Sequence, residues 1–377
     1  MKFLVINTDY PAFLTWLYAQ YPELYVRPYA EQMQVRAASL FGFADFYSSH
    51  LIKLGHEAHD LFINNAFMQK IWAVEHGVSL GPDRELRFFL RKGFIPWYGR
   101  VSNFEWIQTI LAAQIRYFKP DVLVNFAMNG VSTSFLESMK PYFSLLVGSG
   151  EPPILYEKDN WKIYDLVLAP SEGMTAHFRD KGVHAELFRF SFEPQTHMAL
   201  DHHFSEEFPV SFVGSITKYH SKRYAVLQHL CSRLGEKIGI WAPTLNEIDN
   251  ASPIHAAYKG AAWGSSLYQI LLNSKLTINC HIDAAGEFAD NMRLFEATGM
   301  GTLLITDYKQ NLHTLFDIDK EIITYHNSME CVEKILYYLE HETERSAIAK
   351  AGQSRTFKEH TYDHRARELV DIVKKYL

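Results

Sequence analysis

The sequence predicts an α/β protein with two doubly wound parallel sheets, one in each half of the chain. Three observations carry that expectation. Short apolar runs rich in Val, Ile, Leu and Phe recur without polar alternation, as strands buried on both faces do. Longer helical patterns separate these runs, the rhythm of parallel α/β architecture. Between Phe192 and Pro209 the apolar period lapses in "FEPQTHMALDHHFSEEFP", where Pro, His and acids gather, and a hinge is expected there.

Taken in order, "KFLVIN" opens the chain as a strand. Its apolar run ends at Asn7, too short for the hydrophobic region of a signal peptide. "FGFADFYSSHL" follows with a helical pattern, then "DVLVNF", "FSLLVG" and "DLVLAP" read as strands. Beyond the hinge come "PVSFVG", "KIGIWA", "KLTINC", "TLLITD" and "EIITY". The end of the chain is helical: "ERSAIAKAG" is expected to close on Gly352, and "YDHRARELVDIVKKYL" forms an amphipathic last helix. The expected domains are residues 1–205 and 206–360, with 361–377 packing back on the first.

Composition agrees with a folded protein of two ordinary domains: 377 residues, 47% hydrophobic and 21% charged, with no membrane-sized apolar run. A net charge of −6 argues against a nucleic-acid partner, which needs clustered cations facing phosphate. Cys231, Cys280 and Cys331 are scattered and odd in number, neither a disulfide framework nor a zinc pattern, so a reducing cytoplasmic compartment is expected. "HEAHD" is one residue short of H-E-x-x-H, and no P-loop or G-x-S-x-G occurs. No metal site is expected, and the sequence is silent on oligomeric state.

The chemistry gathers in "NMRLFEATGMGTLLITD", Asn291 to Asp307. With Asp290 as cap, Asn291, Met292 and Arg293 would form the first helical turn, where unpaired N–H groups and the helix dipole suit a diphosphate. Glu296 would stand roughly 7 Å farther along the axis, at about 1.5 Å per residue. That distance lets its carboxylate take the two hydroxyls of an attached ribose, the division of labour of other nucleotide sites. The competing reading is an ordinary i,i+3 ion pair between Arg293 and Glu296. A second segment, "VSFVGSITKYHSKR", ends a strand at Gly214 and Ser215 and then places Lys218, His220, Lys222 and Arg223 at a helix start, cations suited to a diphosphate leaving group.

Together with "NCHIDAAGEFADNMRLFEATGMGTLLITDYKQNL" and "YYLEHETERSAIAKAGQSRTFKEHTYDHRARELV", these residues resemble the C-terminal half of CgeB-like spore-maturation glycosyltransferases, within the wider group 1 (GT-B) family. The resemblance implies a GT-B fold: two Rossmann-like domains facing an interdomain cleft, the donor nucleotide on the second, the acceptor on the first. It implies a nucleotide-sugar donor, expected to be a UDP-sugar, as co-substrate, with no other cofactor. Glu296 matches the glutamate that holds the donor ribose, Gly214-Ser215 and Asn291 to Arg293 the diphosphate loops, and Arg223 and His220 the cationic partners. The second glutamate that related retaining enzymes carry eight residues before the first is here Phe288, with Glu287 as the nearest acid.

For the acceptor side, Asp9 and Glu151 rank first, because each follows a strand and open α/β sheets bind ligands at strand carboxyl ends. Arg223 is the third catalytic candidate, facing the leaving charge. His281, with Asp283 beside it, follows a strand in the nucleotide half, and Trp241 stands where it would flank a base. A sugar transferase acting on an unidentified acceptor is therefore expected. The alternatives are a nucleotide-sugar epimerase or hydrolase on the same fold, or a non-catalytic nucleotide-sugar-binding protein.

Overall fold

The computed structural model describes residues 1–82, 84–91, 95–102, 104–149, 160–202, 207–217 and 220–377, with backbone alone for 84–91 and 95–102. Its strands are β1 (Lys2–Asn7), β2 (Glu57–Phe62), β3 (Arg84–Arg91), β4 (Ile95–Ser102), β5 (Val122–Asn125), β6 (Leu145–Ser149), β7 (Leu166–Ala169) and β8 (Ala185–Leu187). Then follow β9 (Phe208–Val213), β10 (Ile238–Trp241), β11 (Tyr258–Gly260), β12 (Ser274–Asn279), β13 (Leu303–Asp307) and β14 (Ile323–Tyr325). One sheet has the order β2-β1-β5-β6-β7-β8 and the other β11-β10-β9-β12-β13-β14. Every pairing within these two sheets is parallel. β3 and β4 form a separate antiparallel pair.

The missing polar alternation has its cause in the layering. In β1, Leu4 and Ile6 enter one core while Phe3 and Val5 enter the core on the opposite face. In β13, Leu303 and Ile305 are likewise separated from Leu304. Helices cover both faces of each sheet, so neither strand has a wet side to mark with polar residues. The runs expected as strands all form strands. Those without such a run are β2, β8 and β11, each at a sheet edge, and the β3–β4 pair, which stands outside both sheets. An edge strand needs little apolar sequence to hold its place.

The halves are joined at several points. The last helix, Tyr362–Val373, lays Tyr362, Ala366, Leu369 and Val373 into the same core as Phe3, Val5 and Tyr47. His50 of the first half places Nδ1 3.7 Å from Asp363 Oδ1 of that helix. Trp263 of the second half packs with Phe13, Leu17 and Leu24 of the first. Beside it, Ser265 N–H donates to the Ser39 carbonyl at 3.0 Å. Gly264, at φ +55°, lies so near that carbonyl that a Cβ would come within 1.9 Å of its oxygen. Only glycine allows that approach.

One expected helix end is corrected. The helix Glu342–Glu359 runs through Gly352 without stopping. A Cβ there would stand 2.3 Å from the Glu321 carbonyl oxygen, so the glycine serves close packing against a neighbouring segment.

Under the first sheet lies a carboxyl that the fold keeps from water. Asp60 on β2 accepts hydrogen bonds from the Ser48 hydroxyl and from Asn7 Nδ2 at 3.3 Å. Burial pushes its pKa up to about 7, with hydrogen bonds from Ser48 and Asn7 and the Arg36 charge opposing. A raised carboxyl contributes its full stability below the unfolded value of 3.8 and loses it as pH rises through 7. Asp60→Asn, neutral at every pH, should therefore gain in Tm relative to the native chain between pH 4 and pH 8. A constant difference across thermal melts in that range would contradict the buried-carboxyl account.

Candidate functional site

Strand order reverses between β9 and β12 in one sheet and between β1 and β5 in the other. Loops leaving the carboxyl ends of such neighbours diverge and open a crevice, the usual ligand position in open α/β sheets. Here both crevices open onto a single cavity of about 530 Å³, a size typical of small-molecule sites. From the first half come Asn7 at the end of β1, Thr8 and Asp9 after it, Phe126 after β5, and Phe41 to Phe43. From the second half come Val213 at the end of β9, Gly214 after it, Asn279 at the end of β12, and the segment Asp290 to Arg293 with Glu296.

The helix that carries Glu296 begins two residues later than the sequence suggests. It spans Arg293–Gly299, and Asp290 does not cap it. Met292 O accepts from both Phe295 N–H and Glu296 N–H at 3.0 Å. Asn291 is held ahead of the helix by Asn279, donating Nδ2–H to its Oδ1 at 2.9 Å and accepting in return at 3.4 Å. The side chains of Asn291 to Arg293 therefore enter the cavity from a turn.

Arg293 and Glu296 do form the i,i+3 pair, with Nη1 to Oε2 at 2.8 Å, but inside the cavity wall and with side chains only 13% and 10% exposed. Tyr268 donates its hydroxyl to Glu296 Oε1 at 3.4 Å. Nε of Arg293 is buried without a hydrogen-bond acceptor among the described residues, while Nη1 meets the Glu296 carboxylate. A cation with an unspent donor beside a cavity suits an arriving anion.

Arg223 also lines the cavity, yet it is mostly occupied. Nε and Nη2 donate to the Cys280 carbonyl at 3.0 and 2.7 Å, and Nη1 donates to the Ser215 carbonyl at 2.7 Å. It thus ties the loop after β9 to the loop after β12. Burial pulls its pKa below the usual guanidinium value, while Cys280, Asp307 and Tyr325 oppose. The side chain places a fixed positive charge at the crevice, and its donors hold the crevice together.

Other expected site residues stand elsewhere. Ser215 contributes its carbonyl to Arg223. His220 uses Nδ1 to accept from Thr217 N–H at 3.1 Å, and its pKa is lowered to about 4 by burial and by Arg223, so it is neutral at pH 7. The start of the helix Ser221–Leu234 is already covered by a carboxylate: Asp283 accepts from Ser221 and from Lys222 N–H. The protein's own anion therefore takes the place expected for a diphosphate, and Asp283 is a cap. His281 turns inward to Asp307, with Nδ1 to Oδ1 at 2.7 Å. Burial would raise the Asp307 carboxyl, but the His281 contacts outweigh it and hold it below the ordinary range. Trp241 is a core residue, packed on Phe208 at 4.9 Å, rather than a flank for a base.

Asp9 lines the cavity as expected, but as half of a buried ion pair. Arg36 Nη2 lies 2.6 Å from Asp9 Oδ1 and Nε 3.3 Å from Oδ2. Both carboxylate oxygens face one guanidinium, which is the wrong environment for a general base. Arg36 was missed in the sequence because it sits in a helix of mixed pattern, Tyr29–Ala38, far from any strand end. Glu151 and Lys218 lie outside the described residues. Asp290, read only as a cap, is the acid that borders the cavity beside Glu296, whereas Glu287 is exposed. Burial raises the Asp290 carboxyl, partly offset by His281 and Lys309. Phe288, at the position of the second glutamate, lays its ring over Gly173 of the first half, 2.7 Å from where a Cβ would stand.

Residues 222–371 match the family model described as "Glycosyl transferase-like". The chain carries a glycosyltransferase domain and is a transferase enzyme. Among solved structures, Anabaena Alr3699/HepE in complex with UDP and glucose aligns over 100% of both chains at 11% identity, with a TM-score of 0.61. A glycosyltransferase from Rickettsia africae ESF-5 aligns over 100% of this chain and 98% of its own at 11% identity and TM-score 0.60. Sucrose-phosphate synthase from Thermosynechococcus elongatus gives the same coverage at 8% identity and TM-score 0.60. At such identities the likeness concerns the fold, which is GT-B. No curated protein matches the sequence at a significant level. No helix among the described residues of this transferase is long and apolar enough to cross a membrane.

The Asp9–Arg36 pair generates a prediction. Removing one partner of a buried ion pair typically costs roughly 3–5 kcal/mol, because the other charge stays buried and uncompensated. Asp9→Ala should lose stability of that order in urea melts. An unchanged midpoint together with abolished turnover would restore Asp9 as a catalytic base.

Proposed function

We propose that the protein transfers a sugar from a UDP-linked donor to an acceptor hydroxyl, without a metal ion and with retention at the anomeric carbon. The placement of Glu296, Arg293 and Gly214 around one cavity, at the carboxyl ends of β9 and β12, carries the reading. In it the Glu296 carboxylate accepts from the two ribose hydroxyls. Arg293 offers its positive charge to the diphosphate, Gly214 lets the phosphates approach the backbone, and Arg223 adds positive potential behind them. That HepE is seen with UDP and with UDP-glucose supports the choice of donor. The narrower CgeB-like assignment rests on the sequence resemblance.

Transfer breaks the bond between the anomeric carbon and the diphosphate oxygen, which leaves with the electron pair. Positive charge fixed near that oxygen is worth more as the leaving charge grows, so it acts on the rate as well as on binding. Asp290, half-buried and with a raised carboxyl, borders the cavity two residues beyond Phe288, which stands in place of the family's second glutamate. We place the donor sugar against it.

A charged hydrogen-bond partner is worth about 1.5–3 kcal/mol, or roughly 10- to 100-fold in affinity. Glu296→Gln should weaken UDP binding by that range, read as a loss of the UDP-induced rise in Tm and checked by calorimetry. Unchanged UDP affinity would remove the ribose assignment. Consumption of UDP-glucose at full rate with no acceptor present would favour the hydrolase alternative.

A further inference from the structure

The first-half wall of the cavity differs in chemistry from the second. Six rings border it: Tyr10, Phe41, Phe43, Phe62, Phe126 and Phe190. Phe43 lies between two of them, 4.9 Å from Phe126 and 6.2 Å from Phe190, the latter stacked at 23°. Among the described residues, the charges on this wall are spent on one another. Asp9 and Arg36 pair, and the guanidinium lies 3.7 Å over the Phe62 ring and donates to the Phe41 carbonyl at 3.0 Å. Asn7, Thr8 and the Tyr10 hydroxyl add a small polar margin among the described residues.

The loop presenting two of these rings is held against its own preference. Leu40 and Ala44 take φ of 61° and 43°, on either side of Gly42 at 61°. A left-handed non-glycine residue costs roughly 1–2 kcal/mol, and such strain persists where the surrounding structure fixes the backbone, commonly at ligand clamps. Here Arg36 and the Ala44 N–H both hold the Phe41 carbonyl, the latter at 3.0 Å. Phe41 and Phe43 are thereby kept half-buried at the cavity instead of collapsing into the core.

We propose that the acceptor is an aryl alcohol, a hydroxyl carried on a flat apolar ring system that stacks among Phe43, Phe126 and Phe190. The inference rests on the transferase reading above and adds the acceptor class to it. A saccharide would bring several hydroxyls to a wall whose described residues offer few groups to receive them, and leaving them unpaired is costly. A flat ring instead gains apolar burial and ring–ring contact. In the reaction the acceptor oxygen forms the new bond to the anomeric carbon, UDP departs with the electrons of the broken bond, and the hydroxyl proton is released to solvent.

The test uses 2-naphthol and maltose as acceptors with UDP-glucose, reading UDP release and glycoside mass. The expected result is at least about tenfold faster UDP release with 2-naphthol than without acceptor, with its glucoside formed, and no acceleration by maltose. Acceleration by maltose and not by 2-naphthol overturns the proposal. Phe43→Leu and Phe190→Leu, each checked for native melting, should raise the KM for 2-naphthol roughly fivefold to tenfold, the scale of a lost ring–ring contact. Their UDP-induced rise in Tm should persist. If UDP gives no rise in the native protein, the donor reading fails by itself. Equilibrium dialysis of 2-naphthol then decides the acceptor wall: saturable binding weakened by Phe43→Leu supports it, and absence of binding overturns it.

Discussion

The reversal of strand order between β9 and β12 is the constraint on which the site depends. Two parallel neighbours whose following segments leave in opposite directions cannot close the space above their carboxyl ends. Arg223 spans that space, donating to a carbonyl on each departing loop. Its guanidinium substitutes for main-chain bonds that the diverging loops cannot make to each other. It does so while keeping a positive charge at the crevice floor. The same reversal between β1 and β5 supplies the facing wall, and the last helix, crossing back to the first core, holds the two walls in register.

Several other charges in and near the cleft are met inside the protein. Asp9 is met by Arg36, Asp307 by His281, and the start of the helix Ser221–Leu234 by Asp283. Each pair removes a charge that a ligand would otherwise have to satisfy. The Arg293–Glu296 pair is different, since its guanidinium keeps Nε without an acceptor among the described residues. An open electrostatic demand on one wall, opposite a wall whose described residues are mostly aromatic, gives the cavity two ends of unlike chemistry.

Much of the fold was legible because its physical cause is local. Strands buried on both faces must be apolar throughout, so the central strands announced themselves, while the short edge strands carried too little sequence to be read. Glycine misled where its reason was tertiary: Gly352 reads as a helix stop but is required by the Glu321 backbone packed against it. Of the site, Glu296, Arg293, Asn291, Met292 and Gly214 were visible from their spacing near strand ends. Arg36, Tyr268 and the ring of phenylalanines were invisible, since nothing local distinguishes them from core residues.

The amino-acid sequence by itself determined two apolar, parallel sheets and several of the residues that gather at the cavity, because strand burial and helix-turn chemistry act over a few residues. Only the tertiary structure decided which of those residues remain available to a ligand. Trp241, His281 and Asp9 are consumed by partners as far as 33, 26 and 27 residues away in the chain. A charge or ring is free or spent according to what packs against it, and that is set by the meeting of distant segments.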